Sequence, residues 1–224
     1  MVKRRKVPHP PRGITITLLM KTFAQYPHIS YNTILRRAGN PFLSMLLNHN
    51  KKKGDTMNYS HYDRFADSVR GLPGLLMLIR LLNILFTSTG LIMYPALLVF
   101  IYYTDSFASL AIHILLPGLA FTFISVYRKC ANRQRPYEIY PIHPLIGKEK
   151  KGESFPSRHV FSIFLISVLW LFCNPAVGVF MLICAIGLAL IRVLGGIHFI
   201  RDVVWGAVAG IGAALFTHWI LTFI

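Results

Sequence analysis

Five arginines, two histidines, one serine and one aspartate fall into three short groups in the second half of this chain. The first group is Arg128, Lys129, Arg133 and Arg135-Pro136, and the second is Phe155-Pro156-Ser157-Arg158-His159. The third is Arg192, His198 and Asp202. Guanidinium groups present a planar fork of donors that matches phosphate oxygens in pairs. Ser157 stands where an N-cap would precede an apolar helix, so the backbone N–H groups after it add an anion site. His198 and Asp202 are four apart, which predicts one shared helix face. A carboxylate there fixes the imidazole tautomer and stabilises its charged form. The second ring nitrogen of His198 is then available as nucleophile or base, and His159 is the natural proton donor to a leaving group. Together these residues could hold a phosphate-like anion beside a nucleophile or base and a proton donor.

Taken singly, each residue has a plainer reading. Arg128 and Arg133 near the end of an apolar stretch can serve as topology markers or snorkelling anchors. The seven other histidines (His9, His28, His49, His61, His113, His143 and His218) read as interfacial residues. A His/Asp pair also suggests a metal ligand set, but many arginines around a single carboxylate would repel a divalent cation. No metal and no cofactor is expected.

The elements that must carry these groups follow from the distribution of charge. Lys plus Arg number 24 against 8 Asp plus Glu, a net charge of +16, yet 54% of the residues are hydrophobic and only 14% charged. A soluble domain carries roughly 25% charged residues, and a nucleic-acid binder places its basic charge on a more polar background. With 13% aromatic residues the chain is also far from a disordered composition. Residues 81–104, 106–127, 160–191 and 203–224 contain no Asp, Glu, Lys or Arg. A membrane-spanning helix needs about 20 apolar residues. The first two stretches therefore give one span each, joined at Thr104-Asp105. The third breaks at Cys173-Asn174-Pro175 into two, which extend to about Pro156 and Gly195. The last stretch gives one more. The expected fold is an all-α, polytopic transmembrane helix bundle of five spans, or six if residues 72–87 form a further short one. A helix lying in the interface and running into the first span is the simpler reading of 72–87. Two crossings separate His159 from Arg192, so both groups reach the same membrane face under either count.

Residues 1–71 read as a basic N-terminal extension, and 72–224 as the transmembrane domain. The first 70 residues hold 13 of the 24 basic residues, including Lys3-Arg4-Arg5-Lys6 and Lys51-Lys52-Lys53. Residues 1–28 read as a solvated tail. The segment 31–48 reads as an amphipathic membrane-surface helix drawn to anionic lipid. Met57 is a candidate alternative start, and no signal-peptide pattern is present. Cys130, Cys173 and Cys184 have neither disulfide nor metal spacing.

The three groups resemble the signature of the type 2 phosphatidic acid phosphatase superfamily, the membrane-embedded lipid phosphatases. Its pattern is Lys-x6-Arg-Pro, then Pro-Ser-Gly-His, then Ser-Arg-x5-His-x3-Asp. Arg128 stands at the Lys position before Arg135-Pro136, followed by Pro156-Ser157-Arg158-His159 and by Arg192-x5-His198-x3-Asp202. The resemblance covers about residues 80–222. Three departures stand out: Arg128 for Lys, Arg158 for Gly, and Ile191 for the Ser before Arg192. Arg158 could contact phosphate or pair with Glu153. The resemblance implies metal-independent hydrolysis in which His198 forms a phosphohistidine, Asp202 orients it and His159 protonates the leaving oxygen. It also implies that Arg128, Arg135, Ser157, Arg158 and Arg192 bind the phosphate. The implied substrate is a lipid phosphate or pyrophosphate: phosphatidate, phosphatidylglycerol phosphate or polyprenyl pyrophosphate.

The implied location is the cell membrane, with the active site at the extracytoplasmic face where family members commonly work. The positive-inside rule alone, with five spans, would make that face cytoplasmic. Membrane lipids are the expected surroundings, nucleic acid is not an expected partner, and the oligomeric state is open. The competing functions are a lipid phosphotransferase and a catalytically silent protein that binds anionic lipid. A soluble haloperoxidase conflicts with the spans, and a transporter lacks an acidic coupling residue within the membrane.

Overall fold

Helix ends in this chain are written by short polar residues and prolines. In the computed structural model, which describes residues 59–147 and 151–223, they delimit seven helices. The readings made for 1–28, 31–48 and Met57 lie outside the described residues. Helix α1 spans Tyr59–Arg70, α2 Pro73–Thr104, α3 Phe107–Ala131, α4 Pro136–Ile139, α5 Arg158–Cys173, α6 Pro175–Leu194 and α7 Ile200–Leu221. Ser106 caps α3 by accepting from the Ser109 N–H at 3.1 Å. Asn132, left-handed at φ 36°, ends α3. Asn174 closes α5 and caps α6 through the Val177 N–H at 3.2 Å, with Pro175 at the first position of α6. Asp105 and Cys173-Asn174-Pro175 therefore break the chain where the sequence predicts.

Helices α2, α3, α6 and α7 are long and apolar enough to cross a membrane, and α5 is a shorter apolar helix of 16 residues. Residues 72–87 form no separate sixth span but run into the first span. They are the first half of α2, whose 32 residues run about 48 Å at 1.5 Å per residue, well beyond ~30 Å of hydrocarbon. Arg80, in that half, donates from Nε to the carbonyl of Leu145 at 3.1 Å. Its charge is thereby spent on a loop outside the membrane helices.

The short α5 lies at the centre of the bundle and packs against α2, α3, α6 and α7. Val160, Phe161, Ile163, Leu165, Leu169 and Trp170 are all buried. At about 24 Å it is shorter than the hydrocarbon thickness, and the helices around it supply the lipid-facing surface. Leu91, Tyr103, Phe107, Phe123 and Ile183 are among the large apolar side chains exposed on that outer face. Trp170 satisfies its indole N–H on the Met93 carbonyl at 2.9 Å, locking α5 to α2.

Contact between α5 and α7 is closest at two glycines. A Cβ on Gly206 would stand 2.7 Å from the Ser157 carbonyl oxygen, and one on Gly210 would meet the carbonyl oxygen of Phe161. Small residues that let helix backbones touch are the usual device for packing inside a bilayer, where apolar burial alone gives little drive. Gly212, two residues on, faces open space. Gly210→Ala should therefore destabilise the protein by about 1–3 kcal/mol through overpacking. Gly212→Ala should leave it equal or slightly more stable, since Ala is favoured over Gly in a helix by about 1 kcal/mol. Thermal unfolding in one detergent would show the two apparent Tm values moving in opposite directions, and equal shifts would contradict this packing.

Candidate active site

The C-terminal end of α3, the N-termini of α5 and α7 and the C-terminal end of α6 converge at one face, and the three sequence groups meet there. Asp202, in the first turn of α7, is 1% exposed. Its Oδ2 accepts the Ser154 hydroxyl at 2.5 Å and the Phe199 N–H at 3.2 Å, and lies 3.6 Å from His198 Nδ1. Ser154 Oγ is also 3.4 Å from the same Nδ1. The His–Asp contact is thus an ion-pair separation, longer than an ordinary hydrogen bond, and the Ser154 hydroxyl bridges it.

The predicted shared helix face is corrected by this geometry. His198 precedes Phe199, the N-cap of α7, and belongs to the tight loop Gly195–His198 that follows α6. That loop is wound on Arg192, whose carbonyl accepts from the N–H groups of Ile197 and His198, each at 3.2 Å. Gly196, at φ +74°, makes the turn. The consequence for chemistry is favourable: Nδ1 points at the carboxylate, so Nε2 projects from the far side of a ring that is 1% exposed.

Around this pair stand Arg128, Arg135 and Arg192, which are 5%, 2% and 4% exposed. Two of them also tie the surrounding loop. Arg128 donates to the Pro156 carbonyl at 2.5 Å and to the Glu153 carbonyl, and Arg135 Nε donates to the Gly152 carbonyl at 3.0 Å. Glu138 accepts from the backbone of Arg135 at 2.7 Å and of Gly152 at 2.9 Å. Ser157 is the N-cap of α5, as its position predicts, but its hydroxyl caps nothing. It is fully buried, its N–H donates to the Asp202 carbonyl at 2.8 Å, and its Oγ has no hydrogen-bond partner among the described residues. An unmatched buried hydroxyl carries a penalty of about 1–3 kcal/mol, which an incoming acceptor oxygen would relieve. Among the described residues Asp202 is the sole buried carboxylate beside three buried guanidinium groups. A site with that balance favours an anion.

Two predicted residues stand on a different side. His159 is half-buried, and with the exposed Arg158 it lines a cavity of about 590 Å³ between α2, α3 and α5. The remaining lining is mostly apolar, including Phe86, Leu91, Phe121 and Ile166. The Arg158 guanidinium lies over the Phe121 ring, 5.6 Å from its centroid. It pairs with no carboxylate among the described residues.

Ser154 and Tyr62 carry no signal in the three motifs. Ser154 is recognisable only from its contacts in three dimensions. Tyr62 of α1 packs its ring end against Gly196, where any Cβ would collide with the phenol oxygen. Burial pushes the Tyr62 phenol above its usual pKa. With Ala66 and Val69 it forms a small core against Ile142 and Leu145 that backs the His198 loop. The Leu145 N–H in turn donates to the Gly195 carbonyl at 3.1 Å.

Fold and site together define a class: a multi-pass helical membrane protein of lipid-phosphatase architecture, its polar centre buried at one mouth of the bundle. The family model of the PAP2 superfamily matches residues 107–223, more than half of the chain, and the chain belongs to that superfamily. The bacitracin transport permease protein BcrC of Bacillus licheniformis is 28% identical over 88 residues, which cover 39% of this chain. The match spans 43% of the BcrC sequence. Among solved structures, a transmembrane PAP2 type phosphatidylglycerolphosphate phosphatase from Bacillus subtilis superposes with a TM-score of 0.57 at 20% identity. That superposition covers 82% of this chain and 94% of the other. LpxE of Aquifex aeolicus gives 0.50 at 21% identity, covering 65% and 93%. At these identities the two structures speak for the fold. Helix α1, with Tyr62, and all of α2 lie before the family match.

Ser154→Ala removes the hydroxyl that bridges His198 and Asp202. It should lower kcat about tenfold with KM changed less than twofold, the loss expected for one charge-assisted hydrogen bond of about 1.5 kcal/mol. Steady-state kinetics on a lipid phosphate checks this, and an unchanged kcat would remove Ser154 from the site.

Proposed function

We propose that the protein hydrolyses a lipid phosphate or pyrophosphate without a metal ion, through a phosphohistidine on His198. The observation that carries this reading is the buried His198–Ser154–Asp202 cluster set beside three buried arginines and the Ser157 hydroxyl, which has no partner among the described residues. In the first step His198 Nε2 attacks phosphorus, and the bond from phosphorus to the leaving oxygen breaks. His159 supplies a proton to that oxygen, while Asp202 stabilises the cationic ring. Water then gives a proton to His159 and attacks the phosphohistidine; the bond from phosphorus to Nε2 breaks, which releases phosphate and restores both the imidazole and the proton donor. Arg128, Arg135, Arg192, Ser157 and the N–H groups opening α5 would hold the phosphate oxygens, whose charge is best stabilised by donors fixed in advance.

A lipid fits for a second reason. The lipid chain is attached to the leaving oxygen, so it must depart on the side of the proton donor. His159 lines the apolar cavity, whose volume of about 590 Å³ lies within the usual 300–1,000 Å³ of ligand sites.

The decisive assay is phosphate release from lipid phosphates and pyrophosphates in EDTA, with His198→Ala alongside. Release that survives EDTA, and falls at least a thousandfold in the variant, is expected. Full turnover by folded His198→Ala protein would sink the mechanism.

The site is assigned to the extracytoplasmic face, in line with the resemblance. The arginines at this face are poor topology markers, because three of them are buried in the site. Cys130, in the last turn of α3 at the same face, is exposed, whereas Cys184 is buried. A membrane-impermeant maleimide should label Cys130 in intact cells and fail to label Cys130→Ser. Labelling only after lysis would place the site on the cytoplasmic side.

A further inference from the structure

Arg158 does not join the buried arginine group. It stands exposed at the first position of α5, one residue before the proposed proton donor, and no carboxylate answers it among the described residues. Its guanidinium is held over Phe121, and it lines the same cavity as His159. An exposed guanidinium beside an apolar groove offers its planar fork of donors to an anionic ligand group. Cation–π contact with a single ring holds it only weakly at an exposed site.

We propose that Arg158 reads a second phosphate on the leaving-group side, so that the preferred substrates are lipids whose headgroup carries an anionic phosphate beyond the scissile one. The inference rests on the phosphatase reading above and narrows its substrate. In a lipid carrying one phosphate, the leaving oxygen belongs to an alcohol whose carbon chain begins immediately. Apolar atoms would then pass directly beneath the guanidinium. In a lipid pyrophosphate, Nε2 of His198 bonds to the terminal phosphorus as the bond to the bridging oxygen breaks. The electron pair leaves with the bridging oxygen, on a phosphate that keeps the lipid chain. Arg158 then neutralises charge that grows during bond breaking, which is catalysis as well as binding. In phosphatidylglycerol phosphate the second phosphate is a diester one glycerol away, and the same guanidinium would hold it in the ground state. Both are one chemistry at Arg158, a second phosphate between the reacting centre and the apolar chain.

The test compares kcat/KM within two pairs of matched tail, farnesyl pyrophosphate against farnesyl phosphate and phosphatidylglycerol phosphate against phosphatidate. Wild type, Arg158→Gln and Arg158→Lys are measured on each. The two-phosphate to one-phosphate ratio should fall about tenfold in Arg158→Gln, the scale of one charge-assisted hydrogen bond, and recover in part in Arg158→Lys. A fall in the first pair alone identifies the pyrophosphate as the source, and a fall in the second alone the glycerol-linked diester. A ratio that stays within twofold in both pairs, with the wild type active, overturns the inference while leaving the phosphatase reading intact. If the wild type turns over none of the four lipids, the phosphatase reading fails instead. Equilibrium binding of farnesyl pyrophosphate and farnesyl phosphate to His198→Ala, with and without Arg158→Gln, then decides the point. A preference for the pyrophosphate that disappears with Arg158 supports the second anion site, and no preference overturns it.

Discussion

One buried carboxylate organises this end of the molecule. Asp202 receives the Ser154 hydroxyl and the Phe199 N–H on a single oxygen, faces His198 with the same oxygen, and offers its backbone carbonyl to Ser157. Those contacts join the loop before α5, the N-cap of α5, the His198 loop and the first turn of α7. A carboxylate out of water is tolerated only when its lone pairs are answered. Each segment that answers it is therefore held in place by the same requirement. The Phe199 bond is also half of a capping box, so the carboxylate that faces His198 doubles as the start signal of its own helix. Loss of the charge would release the helix start and the histidine loop together.

The membrane helices meet that constraint through close backbone contact. Ser157 can reach the Asp202 carbonyl because Gly206 and Gly210 let α7 lie against α5 without intervening side chains. Helix α5 can be short because its faces are covered by four neighbours, and its shortness sets Ser157 and His159 at the level of the α6–α7 loop. On the opposite side of the loop, α1 and the first half of α2 add Tyr62 and Arg80, which fasten the segment around Leu145 behind Gly195 and Gly196. A polar site at a membrane mouth has few rigid neighbours of its own, and these extra-membrane segments supply them.

Spans were legible in the sequence because the bilayer imposes a length and a composition together. Four stretches without charge gave α2, α3, α5, α6 and α7, and Asn174-Pro175 gave the break between α5 and α6. The N-cap at Ser157 was legible for the same local reason, a small polar residue before an apolar run. Residues 72–87 left a sixth span open because Arg80 and Asn83 interrupt an apolar pattern that continues as one helix. Arg80 is accommodated by a carbonyl 65 residues away, which no local pattern encodes. The His198 loop was misread because a four-residue spacing fits a helix face and a capping turn equally well, and Gly195-Gly196 decides for the turn. Ser154 was invisible because its role depends on distance across the fold to Asp202.

Exposure along the site gives the direction in which a substrate would lie. His198, Asp202 and Ser157 are shut away from solvent, His159 is half-buried, and Arg158 is exposed beside an apolar groove. Phosphate oxygens at the buried end would meet guanidinium groups where the effective dielectric is low and each contact is strengthened. At the open end the demands reverse, since the leaving oxygen needs a proton and the chain behind it needs apolar cover. A free phosphate ion could occupy the first region but has nothing to place in the second. A lipid without phosphate would fill the second and leave the buried arginines unmatched by any ligand charge. The two halves of the site are complementary to a molecule that is anionic at one end and apolar at the other. On the proposed mechanism His159, two residues after the buried Ser157 and lining the apolar cavity, would protonate the oxygen between the two ends.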